Sequence, residues 1–167
     1  MDTRNLIDSI VADLHDNEKW MPTEHAVSEA SIISKLNEID NLEQKDKNGR
    51  TLLVNAVCYE RKNVVKYLLS KNVDVNVHVD RGFTALHLAA ETGNFDIAEL
   101  LLKNGAEVDS MDMFGATPLM RCKHSAPLSI FRLLASYGAD PQIKNFHGIC
   151  ALDIFGAYPQ IIEIFKR

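Results

Sequence analysis

Apolar residues in this chain fall into short helical patterns separated by polar punctuation. Between residues 5 and 15 they stand at Leu6, Ile7, Ile10, Val11 and Leu14, the spacing that gives a helix one buried face. A second helical stretch is expected over 24–38, with Ala26, Val27, Ile32, Ile33 and Leu36, and Ile39 just beyond. Ile97, Leu100 and Leu101, running on to Val108, predict another helix, and Ala151–Phe155 and Ile161–Phe165 predict two short ones at the end. No run approaches the ~18 consecutive apolar residues of a membrane-spanning helix.

The punctuation is periodic. Gly49, Gly82, Gly115 and Gly148 are each separated by 33 residues. Thr51, Thr84 and Thr117 keep the same step, as do Leu53, Leu86, Leu119 and Leu152, then Leu68, Leu101 and Leu134, and then Asn72, Gly105 and Gly138. Each position has a physical reason. The threonines suit the N-cap of a first helix, where a hydroxyl takes an orphan amide. Pro118 follows at the first helical position, where its missing N–H costs nothing. Ala89 and Ala90 keep that helix thin, so neighbouring units can approach. Gly105 and Gly138 fit the left-handed position that ends a second helix. Asp46, Asp112 and Asn145 suit the turn before each phasing glycine. Each unit therefore reads as turn, helix, loop, helix, and since one unit cannot bury its own apolar face, stacked units share a core.

These residues resemble the ankyrin-repeat family. The best-matching unit runs Gly82-Phe83-Thr84-Ala85-Leu86-His87-Leu88-Ala89-Ala90, then Gly93, then Ile97 to Val108, and the next carries Thr117-Pro118-Leu119. The resemblance covers about residues 46–158. It implies an all-α solenoid of stacked helix-turn-helix units with connecting β-turn or hairpin loops and helical caps at both ends. The expected layout is a single domain over 1–167: an N-terminal helical cap and degenerate repeat over 1–45, repeats over 46–78, 79–111 and 112–144, and a C-terminal capping repeat over 145–167, closed by the charged Lys166 and Arg167. The resemblance also implies that His87 hydrogen-bonds the backbone of adjacent turns, and that a partner protein binds the concave face made by turn tips and first helices.

Charge and cysteine content narrow the partner. The net charge is −5, and residues 1–40 hold nine acids against three bases. An acidic start with no basic block following it disfavours nucleic acid. Cys58, Cys122 and Cys150 are odd in number and widely spaced, which suits neither a disulfide framework nor zinc and points to a reducing, cytoplasmic setting. The start of the chain has no basic segment leading into an apolar run, so no secretory signal is expected. No cofactor and no membrane are expected either, and a monomer is the default.

Water-exposed tips should be polar, yet the tips here carry Phe83, Met113, Phe114, Phe146 and Ile149, beside Arg50, Arg81 and His147. Contiguous apolar surface of this kind usually marks an interface; the alternative is that the rings fold back and close the edge. The first-helix surface is expected to add Tyr59, Glu91, His124 and Tyr158, with a basic run at Arg121-Cys122-Lys123-His124 that suits an acidic partner. Three functions stay open: a non-catalytic interaction module; a dedicated inhibitor, akin to the stand-alone bacterial ankyrin proteins that resemble immunity proteins and neutralise a cognate toxin or enzyme; and an enzyme with a site near His124, with Cys122 and His124 as a Cys–His pair or as two metal ligands.

Overall fold

The computed structural model describes residues 3–15 and 27–166, and these form ten α-helices with β-structure limited to one isolated bridge between Lys45 and Thr51. The all-α expectation holds. The chain divides into two compact units, Met1–Asp74 and Val75–Arg167.

The first unit holds α1 (Thr3–His15), α2 (Glu29–Leu36), α3 (Leu52–Cys58) and α4 (Lys62–Ser70). The second stretch expected over 24–38 is shorter in the structure. Ser28 caps it, accepting from the Ser31 amide at 3.2 Å, and residues 24–26, with Ala26, lie outside the described residues. Helix α1 packs on α2 and α3, while α2 and α3 both pack on α4. The α1–α2 pair thus backs α3–α4 as a preceding repeat would. Ile7, Ile10, Leu14, Ile32, Leu36, Val64 and Leu68 make the shared core. A buried cation closes the end of α1: Arg61 donates Nε to Leu14 O (3.1 Å) and Nη2 to Asp13 O (3.2 Å), satisfying carbonyls that a helix end leaves unpaired.

The second unit holds α5 (Ala85–Thr92), α6 (Phe95–Lys103), α7 (Pro118–Arg121), α8 (Leu128–Ser136), α9 (Ala151–Phe155) and α10 (Pro159–Phe165). Helices α5, α7 and α9 form one row, α6, α8 and α10 a second. Ala89 and Ala90 are completely buried, as a thin helix between neighbours requires, and Leu86, Ile97, Leu101, Leu119, Ile130 and Phe131 fill the space around them. Gly105 and Gly138, both at φ +88°, turn the chain out of α6 and α8.

The first helices of the last two repeats are shorter than the repeat pattern predicts. Helix α5 ends against Gly93 in the left-handed conformation (φ +70°), and Glu60 takes that conformation (φ 55°) at the corresponding place in the first unit. One step on stands Ala126 followed by Pro127. A residue before proline is held to extended backbone, so the left-handed exit is closed. Helix α7 instead stops at Arg121, Cys122 turns extended (φ −58°, ψ 137°), and Lys123–Ala126 form a separate turn. Pro159 accompanies the same shortening of α9.

The turn leading into α5 is fixed by His87, which is completely buried. Its Nδ1 accepts from the Thr84 amide (3.1 Å) and lies 2.9 Å from Thr84 Oγ1, so Nε2 carries the proton and donates it to Ala116 O at 3.0 Å. Burial lowers the imidazole pKa below 6.5, and the bond to Ala116 O only partly offsets this. Between 6.5 and the lower folded value the unfolded chain holds the proton and the folded chain does not. This contribution is therefore fully present above the unfolded pKa and is lost as pH falls below it, with a slope of at most about 1.4 kcal/mol per pH unit. Urea unfolding from about pH 7.5 to 5 should show this loss in the wild type and not in His87→Gln; parallel curves would contradict it.

The third repeat lacks this device. Thr51 accepts from the Val54 amide at 3.3 Å, whereas the buried Oγ1 of Thr117 has no hydrogen-bond partner, contrary to its expected capping role. The buried Met120 stands where the preceding repeat has His87. Met120→His should supply the missing partner and reach Ile149 O, one step beyond Ala116 O. The expected gain is about 1 kcal/mol, measurable as a higher urea midpoint. A lower midpoint would mean that the site has no room for the ring.

Candidate protein-binding surface

The turn tips share one frame. Asp46, Asp112 and Asn145 each use Oδ1 to accept from the amides two and four residues on: Asn48 and Arg50 (2.8 and 2.9 Å), Phe114 and Ala116 (2.8 and 3.0 Å), His147 and Ile149 (2.9 and 3.1 Å). The second repeat has Val79 at this place. With no such acceptor, its turn tightens into a single 3-10 turn with Arg81 at φ 58° and Gly82 at φ 73°. Within the second unit successive tips are joined by Met113 N donating to Arg81 O (2.9 Å) and Phe146 N donating to Phe114 O (3.0 Å). The approach is so close that a Cβ on Gly82 would lie 2.7 Å from Met113 N.

Outside this frame the side chains divide into two groups. The exposed group is Met113 (57%), Phe146 (73%), Phe114 and Ile149, with Met111 nearby. Arg81 and His147 are also exposed. The second group is packed together and half-buried, and Phe114 belongs to both. Arg121 donates Nε (2.8 Å) and Nη2 to Asp112 Oδ2, and its guanidinium lies 4.9 Å from the centre of the Phe83 ring and 5.7 Å from that of Phe114. Phe83, half-buried, also meets His87 edge-on at 5.6 Å. Three residues read from the sequence as separate contacts for a partner are thus one packed cluster. Asp112 pays the desolvation of a fully buried carboxylate, but the Arg121 bonds and the Phe114 and Ala116 amides outweigh it and hold its pKa below the usual range.

The other expected positions are dispersed. Arg50 and Tyr59 belong to the first unit. Arg50 reaches the Cys58 sulfur at 3.9 Å, and Tyr59, just past the end of α3, sets its ring edge-on to His15 at 5.2 Å. The expected first-helix surface therefore needs correction: Glu91 lies on α5, but Tyr59 follows its helix, His124 sits in the turn after α7, and Tyr158 precedes α10. His124 rests against Tyr158 (5.0 Å) and Phe155 (5.7 Å). The basic run is also divided, since Arg121 is paired with Asp112 while Lys123 is exposed.

The Cys122–His124 pair finds no support in the geometry. Cys122 is buried just past the end of α7, where the preceding repeat has Ala89, directs Sγ toward Pro118 O at 3.7 Å, and burial pushes its thiol up to about 12. A thiol so hard to ionise is a poor nucleophile. Cys150, which stands one step after Thr117, caps α9 together with Asp153, whose carboxylate accepts from the Cys150 amide at 2.9 Å. Among the described residues no three His, Cys, Asp or Glu side chains gather as a metal site, and no helix is long and apolar enough to cross a membrane.

One open depression of ≈ 350 Å³ lies on the tip side of the last two repeats, lined by Phe114, Met120, Arg121, Asn145, His147 and Ile154. Sequence reasoning missed Met120, Asn145 and Ile154 as lining residues, because each occupies a position that is structural elsewhere in the repeat.

Comparison with known proteins agrees with this architecture. The family description "Ankyrin repeats (3 copies)" matches residues 23–112 and 75–145. The chain is 38% identical over 107 residues to human BCL-6 corepressor-like protein 1, covering 64% of this chain and 6% of that protein. It is 32% identical over 112 residues to the mouse B-cell lymphoma 3 protein homolog, covering 64% of the chain and 25% of the relative. It is 33% identical over 107 residues to human protein phosphatase 1 regulatory subunit 27, covering 63% and 69%. The chain thus spans only a small part of the first two relatives. With the 33-residue turn frame, the paired helical rows of the second unit and a match over most of its length, the chain belongs to the ankyrin-repeat family.

Proposed function

We propose that the chain is a non-catalytic protein-interaction module that takes its partner on the turn edge of the second unit. The observation that carries this reading is the exposure of Met113, Phe114, Phe146 and Ile149 on consecutive tips of a rigid hydrogen-bonded frame. Large apolar side chains held in water gain roughly 1.5–3 kcal/mol each on full burial, and their backbone is already fixed, so little ordering opposes binding. Relatives described as a corepressor-like protein and a phosphatase regulatory subunit support a regulatory binding role over catalysis. So does the buried, un-ionised Cys122 thiol. The partner is a protein, and recruitment and inhibition use the same surface.

Affinity capture from the source cell tests the reading. The wild type runs beside Met113→Ser/Phe146→Ser/Ile149→Ser, with circular dichroism showing both folded. Phe83 and Phe114 stay intact because their rings pack on Arg121. The expected result is a partner held by the wild type and weakened at least ~30-fold by the variant, the scale of a central hot spot. Equal retention would move the interface off this edge. The captured protein's activity, with and without the module, then separates a recruiter from an inhibitor of a toxin or enzyme.

A further inference from the structure

The repeat offers an internal comparison for the depression beside Asn145. One step earlier, between the second and third turns, the corresponding space is occupied by the protein's own Arg121, paired with Asp112 and flanked by Phe83 and Phe114. Thirty-three residues on, Arg121 is replaced by Ile154, Asp112 by Asn145, Phe83 by Ala116 and Phe114 by His147. The cation is gone, one ring has become a methyl group, and the other has become an imidazole. The ≈ 350 Å³ opening is what these four exchanges leave.

Its polarity is inverted as well. Asn145 fixes its amide as Asp112 fixes its carboxylate, with Oδ1 accepting from two turn amides. The remaining branch is therefore an acceptor, Oδ2, in Asp112 and a donor, Nδ2, in Asn145. Asp112 Oδ2 is filled by Arg121; Asn145 Nδ2 has no partner among the described residues. Arg121 also lines the opening, and it uses Nε and Nη2 on Asp112 while Nη1 has no partner among the described residues. His147 stands exposed beside them, no carboxylate lines the space, and Phe114, Met120 and Ile154 supply apolar walls. A site that holds a cation in one interval presents donors and apolar surface in the next. Its volume is near the lower end of the roughly 300–1,000 Å³ of ligand pockets, the scale of one large side chain.

We propose that this depression takes a partner peptide by a single aromatic or large apolar side chain flanked by a carboxylate, the side chain entering between Met120 and Ile154 and the carboxylate meeting Asn145 Nδ2, Arg121 and His147. The proposal rests on the protein-binding reading above and adds the chemistry of the bound segment. The exposed Phe146 and Ile149 continue the apolar surface next to it.

Fluorescence anisotropy with a labelled heptapeptide centred on Asp-Trp-Asp tests it, with heptapeptides centred on Lys-Trp-Lys and Asp-Ser-Asp as controls. Ala116→Phe/Asn145→Asp/Ile154→Arg reverses three of the four exchanges and plugs the opening with the chain's own guanidinium. Ile154→Trp fills it with one change if the triple variant does not fold. The Asp-Trp-Asp peptide is expected to saturate the wild type at micromolar concentration, to weaken with added salt, and to bind a filled variant and both controls to the wild type at least about tenfold more weakly. Absence of saturable binding, equal binding by a folded, filled variant, or preference for Lys-Trp-Lys would each overturn the proposal. A natural partner that is lost on the Met113/Phe146/Ile149 variant but held fully by the filled one would leave the interaction module standing and remove the depression from it.

Discussion

Phe131→Ala is expected to lower the unfolding free energy by about 3–5 kcal/mol. Phe131 is completely buried on α8, and its ring meets Phe155 of α9 edge-on, with centroids 5.1 Å apart and planes at 83°. Phe155 is in turn touched by His124 at 5.7 Å. The truncation therefore removes a large buried surface and an aromatic pair that ties a second-row helix to the five-residue α9. So short a helix has little stability of its own and depends on packing. Urea unfolding followed by far-ultraviolet circular dichroism measures the effect. A loss below about 1 kcal/mol would mean that the last repeat is not held by this contact. Pairing the change with Phe155→Leu in a double-mutant cycle would isolate the ring–ring term, expected at about 0.5–1.5 kcal/mol.

Asp112→Ala is the second large effect, expected at about 3 kcal/mol. The carboxylate is fully buried and accepts from three donors: the Phe114 amide, the Ala116 amide and Arg121. Alanine leaves two turn amides without an acceptor and a guanidinium between two rings without its counter-ion. Arg121 keeps a side-chain exposure of 28%, so water relieves part of the charge, which is why the figure lies at the low end for a broken buried pair. Asp112→Asn separates the two roles. Asn145 shows that an amide oxygen serves the same two backbone donors, so asparagine should retain the turn and lose only the ion pair. Its expected cost is about 1 kcal/mol. The two variants unfolding alike would show that the turn amides matter little. The pH dependence follows from the lowered carboxyl pKa: the wild type's advantage over Asp112→Asn is present above the unfolded value of 3.8 and is lost as pH falls through the lower folded value.

Local chemistry carries much of this fold, and local chemistry is what a sequence displays. The phasing glycines, the asparagine and aspartate that hold the turns, Pro118 opening α7 and the glycines that end α6 and α8 each express a requirement met within a few residues. The shortening of α7 depends on a local rule too, the restriction that Pro127 puts on Ala126, but the strength of the surrounding repeat hides it. The Arg121 cluster is of another kind. Phe83, Asp112, Phe114 and Arg121 come together only once two turns and a helix are stacked, and in the sequence Asp112 reads as a turn residue and the other three as surface residues. The depression beside Asn145 was equally hidden, because a space is defined by what the neighbouring side chains fail to fill.

The turn frame has a consequence for how this surface can change over generations. Its hydrogen bonds come from main-chain atoms and from one side chain at the first turn position, as Asp112 and Asn145 show. The side chains of Met113, Phe146, His147 and Ile149 take no part in them. Heritable variation at those sites can therefore reshape the exposed surface while the scaffold is inherited intact. A library randomised there would explore new surfaces on a backbone that does not have to be rediscovered each time.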